Sequence, residues 1–187
     1  MEEFRKIAGL DVTKWDIFYY VYGLLHCQDY RDKYAANLRR ELPRIPFPAN
    51  RDDFRNISDA GKKLAQLHVR YEEQPEYELD EPVGKPLDWY VTNKMRLSKD
   101  KTEIIYNESL TLSAIPPEVF NYRLGNRSAL EWIIDRYQVT TDKRSGIKND
   151  PNRKDDLQYI VKLIGKIITV SLETMKIVAG LRMPQHQ

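Results

Sequence analysis

An α+β fold, with helices packed around a small antiparallel β-meander and a long C-terminal helix, is predicted by three observations. Apolar residues recur at helical spacing in stretches near 13–26, 30–42, 52–74, 128–137 and 156–181. Between Trp89 and Ile115 the period falls to two, and the breaks there are too short for anything but antiparallel neighbours. A Pro-Pro break then leads through a Gly turn into a capped helix, in the run IPPEVFNYRLGNRSALEWIIDRY from Ile115 to Tyr137. With 187 residues, one domain with a real core is the default.

Thr13, with Asp16 three residues on, can cap a first helix to about His26. Its Trp15, Ile17, Phe18, Tyr19, Val21, Tyr22, Leu24 and Leu25 leave hardly any polar face, which predicts burial on most sides and a core shared with the last helix. Tyr30, Tyr34, Leu38 and Leu42 make a second, amphipathic helix that Pro43 ends. LPRIPFP, with Pro43, Pro46 and Pro48, is stiff and extended and should lie against the core. Asp52 or Asp53 can cap a third helix whose seam is Phe54, Ile57, Gly61, Leu64, His68 and Tyr71, closed by Pro75.

Strands are expected at Trp89–Leu97, Thr102–Tyr106 and Leu110–Ile115, joined by the SKDK and NES turns. The apolar face of this meander, Val91, Met95 or Leu97, Ile104, Tyr106 and Leu112, needs a cover of helices. Ser128 and Glu131 form a capping box, so a helix begins there with Ala129, Leu130, Ile133, Ile134 and Tyr137 as its apolar stripe; Glu131, Asp135 and Arg136 face water. Residues 138–154, QVTTDKRSGIKNDPNRK, hold almost no apolar residue and read as one long exposed loop. The chain closes on a long helix carrying Leu157, Ile160, Val161, Ile164, Ile167, Ile168, Met175 and Val178; Lys162, Lys166, Glu173 and Lys176 interrupt it, so it is a core helix and not a membrane span.

Function classes are bounded mostly by what is missing. No GxxxxGK[ST] or GxGxxG occurs, and His26, His68 and His186 with the single Cys27 give no zinc spacing, so no cofactor or metal is expected in this chain. His68 on an apolar seam reads as a core histidine. His26 and Cys27 are neighbours on a helix, about 100° apart, and do not face each other. The run NDPN supplies one acid, Asp150, and no carboxylate pair. A lone cysteine fits a reducing compartment, hence the cytoplasm, and a net charge of +2 is too small to imply a polyanion partner unless the cations cluster. Candidate clusters are Arg44 beside the proline segment, Lys94, Arg96, Lys99 and Lys101 near the first hairpin, and Arg123, Asn126, Arg127, Lys143, Arg144, Lys148 and Asn149 around the capped helix and loop. Such residues could neutralise phosphates or reach base edges of DNA. Interspersed Asp100, Asp142, Asp150, Asp155 and Asp156 also fit an ordinary solvated surface.

Three segments carry a family resemblance: YYVYGLLHCQDYRDKYAANLRRELPRIPFP (19–48), EIIYNESLTLSAIPPEVFNYRLGNRSALEWIIDRYQVTTDKRSGIKNDPN (103–152) and YIVKLIGKIITVSLETMKIV (159–178). Together they resemble the C-terminal specificity domain of Type ISP restriction-modification enzymes, also labelled a helicase C-terminal domain; LGNRSALEW and SGIKNDPN are its most specific runs. The first segment is also similar to the region after the methyltransferase in Type IIG enzymes, with Cys27 where their Y-x-x-LHS-x-x-YR run has Ser. The resemblance implies a non-catalytic target recognition domain spanning 1–187, with 1–12 an arm left from a linker to an upstream methyltransferase domain. It implies double-stranded DNA as partner, an adenine-N6 methyltransferase on the same or a split polypeptide, and no membrane or small-molecule substrate. S-adenosylmethionine, ATP and Mg would belong to upstream domains with the methyltransferase, translocase and nuclease. In keeping with this, Pro116-Pro117 follows Ile115 and precedes Glu118, so no (D/N)PP(Y/F) methyltransferase motif is present. The alternative is a helical docking module without DNA contact.

Overall fold

Thr13 stops one turn of chain and starts another: its hydroxyl accepts from the Asp16 N–H at 3.2 Å while the Asp16 carboxylate accepts from the Thr13 N–H at 2.8 Å. This capping box opens a helix in a computed structural model that describes residues 2–82, 87–92 and 94–184. The chain divides into two units, residues 1–70 with 174–187 and residues 71–173.

The first unit is helical: α1 (Glu2–Ala8), α2 (Lys14–His26), α3 (Gln28–Lys33), α4 (Ala35–Leu38) and α5 (Arg51–Val69). The stretch read as an arm holds α1, whose Phe4 ring lies 5.5 Å from Tyr20 and 5.9 Å from Phe54, with Ala8 and Val12 buried beside it. The expected second helix breaks at Tyr34 into α3 and α4. The cap of α5 is Asn50, not Asp52 or Asp53, because Asn50 is the extended residue whose side chain accepts from the Asp53 N–H at 2.9 Å. The two aspartates then fall in the first turn, where their charge meets the positive end of the helix. The proline segment does lie on the core. Tyr20 donates its hydroxyl to the Pro46 carbonyl at 3.0 Å and Tyr30 to that of Arg44 at 2.8 Å.

Packing of α2 on α5 is backbone to backbone. A Cβ on Gly61 would stand 1.9 Å from the Tyr19 carbonyl oxygen, and one on Gly23 2.4 Å from that of Ile57, so both positions require glycine. Around this crossing Tyr20, Leu24, Tyr30, Phe54, Ile57 and Leu64 form a core with Val178 and Leu181. The face of α2 turned away is not buried as expected: Trp15 is 66% and Phe18 49% exposed. These rings shield each other instead, Trp15 against Phe18 at 5.7 Å and Phe18 against Tyr22 at 6.0 Å. The histidines on the inner side are satisfied. His68 bonds the Tyr22 hydroxyl through Nδ1 at 2.7 Å and the buried Thr174 hydroxyl through Nε2 at 2.9 Å, and His26 Nδ1 meets the Tyr22 carbonyl at 2.8 Å. Burial, then the charge of His26, pushes His68 down to about 4.

The second unit holds the meander β1 (Arg96–Leu97), β2 (Ile104–Ile105) and β3 (Thr111–Leu112), antiparallel in that order. The first strand is shorter than its Trp89–Leu97 pattern because the Val91 backbone is bonded otherwise: its N–H donates to Asn152 Oδ1 at 2.8 Å and its carbonyl accepts from Asn152 Nδ2 at 2.9 Å. Asn93, within that pattern, lies outside the described residues. Turn chemistry fixes the register. Asp100 accepts from the Ser98 hydroxyl and the Thr102 N–H, and Asn107 accepts from the N–H groups of Ser109 and Leu110.

A 3-10 turn (Pro117–Asn121) leads into the hairpin β4 (Arg123–Leu124) and β5 (Arg127–Ser128), then α6 (Ala129–Arg136). Met95 rather than Leu97 faces inward, joining Val91, Ile104, Tyr106, Leu112, Leu130 and Ile134. The last helix, α7 (Tyr159–Ala179), supplies Ile160, Ile164 and Ile168 to this same core. The single core expected between the first and last helices is therefore two: Ile164 is fully buried in the second unit, while α2 packs on α5. Residues 138–154 are not an unstructured loop. Thr140 pairs with Asn149 and Thr141 with Lys148, making the hairpin β6 (Thr140–Thr141) and β7 (Lys148–Asn149). Asp142 closes its turn by accepting from the N–H groups of Arg144 and Ser145, and Gly146 takes φ +71°. No helix among the described residues is long and apolar enough to cross a membrane.

Candidate nucleic-acid interface

The capping box at Ser128 sets the geometry of the site as well as the start of α6. The Ser128 hydroxyl accepts from the Glu131 N–H at 3.2 Å, and the Glu131 carboxylate accepts from the Ser128 N–H at 2.8 Å. Glu131 also receives Lys101 at 2.9 Å, which ties the β1–β2 turn to the helix. Burial alone would push the Glu131 carboxyl up, but these bonds from Ser128 and Lys101 outweigh it and hold it at about 2. One turn on, Asp135 holds the Arg127 guanidinium at 2.8 Å. Asp135 is exposed as its periodicity predicts, whereas Glu131 is half-buried by its bonds to Ser128 and Lys101; both line the wall of a cleft, each beside a cation.

That cleft has a volume of about 520 Å³ and brings together six of the twelve candidate residues: Lys94, Arg96, Lys101, Arg123, Asn126 and Arg127. Five cations thus face two carboxylates, so the cleft keeps a positive balance that suits an anionic partner. The β4–β5 hairpin presents the last three. Its tip, Gly125, takes φ +71° with open space around it, and Arg123 donates through Nη2 to the Asn126 carbonyl across the turn. Trp132 organises the rim: its Nε1 donates to the Leu124 carbonyl at 3.0 Å, and the guanidinium groups of Arg127 and Arg136 lie 5.4 and 5.6 Å from its ring centre. Arg127 and Trp132 are five apart and Arg127 and Asp135 eight apart, spacings that carry no sequence signal until β5 and α6 are placed.

The other six candidates are elsewhere. Lys99 sits on the β1–β2 turn, beside the Ser98 and Asp100 pair. Lys143, Arg144, Lys148 and Asn149 are exposed on the β6–β7 hairpin, as expected of that stretch, and Lys148 lies 3.3 Å from Asp150. Arg44 belongs to the first unit, with its side chain 92% exposed and 3.7 Å from Glu41. No group of three or more His, Cys, Asp or Glu that could hold a metal occurs among the described residues. Cys27 is buried, and burial pushes its thiol above the ordinary value, away from the nucleophilic thiolate.

Fold and cleft define a small α+β chain whose short hairpins carry exposed cations. The chain belongs to the Type ISP C-terminal specificity domain family, whose sequence model matches residues 1–164. Solved structures agree. A nuclease-deletion mutant of the Type ISP restriction-modification enzyme LlaGI, in complex with a DNA substrate mimic, is 42% identical, with 95% of this chain and 17% of that one covered at a TM-score of 0.82. The ATP-dependent Type ISP restriction-modification enzyme LlaBIII, bound to DNA, is 38% identical over all of this chain and 12% of its own, at 0.85. DrdV, in a complex with DNA, is 32% identical over 99% and 20%, at 0.82. The chain therefore spans a fifth or less of each of these proteins. No curated protein sequence matches it.

Proposed function

We propose that this chain is the non-catalytic DNA sequence-recognition module of a bacterial, cytoplasmic restriction-modification enzyme, positioning double-stranded DNA for an upstream adenine-N6 methyltransferase. In this reading residues 1–187 act as one recognition domain, and 1–12 carry the connection to the methyltransferase, on the same or a split polypeptide. S-adenosylmethionine, ATP and Mg serve the domains that hold the chemistry. The observation that carries the reading is the cleft of five cations on the β1–β2 and β4–β5 hairpins, in a fold shared with three proteins whose structures contain DNA.

Lys94 and Arg96 make no ion pair with the described residues, so they are the cations most available to phosphate. A titration of the chain against a fluorescent duplex at several salt concentrations tests this. Affinity should fall steeply with salt, and Lys94→Ala or Arg96→Ala should each flatten the slope by about 0.9, the loss of one phosphate contact. The competing reading, a docking module without DNA contact, draws on the exposed rings of Trp15 and Phe18, which lie against the half-buried Tyr19 and Tyr22. No duplex binding, or binding indifferent to salt and to both substitutions, would decide for it.

A further inference from the structure

The cations of the cleft differ in how they are held, and the difference separates two kinds of contact. Lys94 and Arg96 are exposed and not ion-paired among the described residues. Arg127 is fixed twice over: Asp135 engages Nη1 at 2.8 Å, and the guanidinium lies 5.4 Å from the centre of the Trp132 ring. Trp132 is itself tied to the Leu124 carbonyl of the same hairpin. A mobile cation suits a phosphate, which can be met from many directions. A base edge must be met from one, by a planar fork already aimed.

Resting on the reading that the cleft takes duplex DNA, we propose that Arg127 is the residue that reads sequence, through a bidentate contact to the Hoogsteen edge of one guanine. Asp135 and Trp132 are positioning residues that hold the fork. The guanidinium has five N–H donors and Asp135 is engaged through Nη1, so donors remain for N7 and O6 of guanine. The arrangement limits the loss of side-chain freedom on binding, because that freedom is already restricted before DNA arrives. Lys101 is braced in the same way by Glu131, but an ammonium is a point charge without a fork, so it fits a phosphate.

The experiment is selection of duplexes from a pool with a randomised centre by the whole chain, followed by affinity and salt titration on the selected duplex and its single-base variants. The parent should prefer a G·C pair at one position. Arg127→Ala and Arg127→Lys should both reduce that preference by roughly 10- to 100-fold while choice at other positions stays. Arg127→Lys should leave the salt slope unchanged, since the charge is kept. Asp135→Asn should weaken the same preference without lowering affinity for unrelated duplexes. Preference kept in Arg127→Lys, or lost affinity spread evenly over all duplexes, would make Arg127 a phosphate contact and overturn the inference. A lowered melting temperature in Arg127→Ala with unchanged preference would make the Arg127–Asp135 pair structural and overturn it too. Binding of every duplex equally by the parent overturns base reading but leaves DNA binding standing; no salt-dependent binding at all is the failure of the function proposed above.

Discussion

In the helical unit Gly23 and Gly61 sit where two backbones meet, whereas in the mixed unit Gly125 and Gly146 sit at hairpin tips with nothing within 4 Å. One pair of glycines brings chain segments together; the other lets the chain turn outward. The first unit is held by a close crossing and by tyrosine, histidine and threonine bonds inside it. In the second, strands of only two residues are fixed by side chains that bond the backbone, Asp100, Asn107, Asp142 and Asn152, around a core that is aliphatic but for Met95 and Tyr106. The consequence is a separation of duties within the second unit. The exposed side chains of its hairpins, Arg96, Arg123, Lys143, Arg144 and Lys148, can change without touching the core, whereas Ile104 and Leu112 on the same short strands belong to it.

The comparison can be broken most forcefully in the mixed core. Ile164 is fully buried, so Ile164→Ala should cost roughly 2–5 kcal/mol in urea denaturation; a cost within about 0.5 kcal/mol would mean that the site is not packed as described. In the helical unit Gly61→Ala adds only a methyl, yet that methyl would meet the Tyr19 carbonyl oxygen at 1.9 Å. A loss of roughly 1–3 kcal/mol is expected, toward the upper end because backbone and not a flexible side chain must move. The same change at Gly125, where nothing lies within 4 Å, should be milder and act only through its positive φ.

Acid should sharpen the contrast with the smallest effect. His68 titrates at about 4 in the folded chain against an ordinary 6.5, so the unfolded chain takes up its proton first. The stability it contributes is whole above pH 6.5 and is lost as pH falls toward 4. Glu131 titrates at about 2 against 4.5, so its contribution is whole above 4.5 and is lost as pH falls toward 2. Melting curves followed through Trp15 in the helical unit and Trp132 in the mixed unit should therefore respond in two successive windows. His68→Gln should weaken the upper window, which His26 shares, and Glu131→Gln the lower one, which Asp16 and Asp100 share; an unaltered profile in either variant would show that the named group does not contribute to it.

Local chemistry was legible in the sequence, and proximity was not. The capping boxes at Thr13 and Ser128 depend on residues three apart, and both occur where the spacing put them. The order and antiparallel sense of the meander followed from turn length alone. The hairpin at 140–149 was missed because strand reading looks for burial, and every residue from Thr140 to Asp150 is exposed; its signals were the Asp142, Ser145 and Gly146 of the turn. The Gly23–Gly61 crossing and the separation into two cores join segments far apart in the chain, which periodicity within one helix cannot report. The same holds for the cleft. All of its cations were candidates from the start, but the distinction between braced Arg127 and unpaired Lys94 and Arg96 depends on Asp135 and Trp132, which only the placement of β5 on α6 brings to them.

Val178 and Leu181 complete the core built by α2 and α5, although the whole of 71–173 lies between them in sequence. On a ribosome the helical unit is thus begun first and completed last: its core lacks Val178 and Leu181 until the chain has passed residue 181. The mixed unit is continuous and has no such wait, and domains generally fold as units as they emerge. During synthesis the hairpins of the mixed unit can be in place while the crossing at Gly23 and Gly61 still lacks its final cover, so the part of the chain made first is the part completed last.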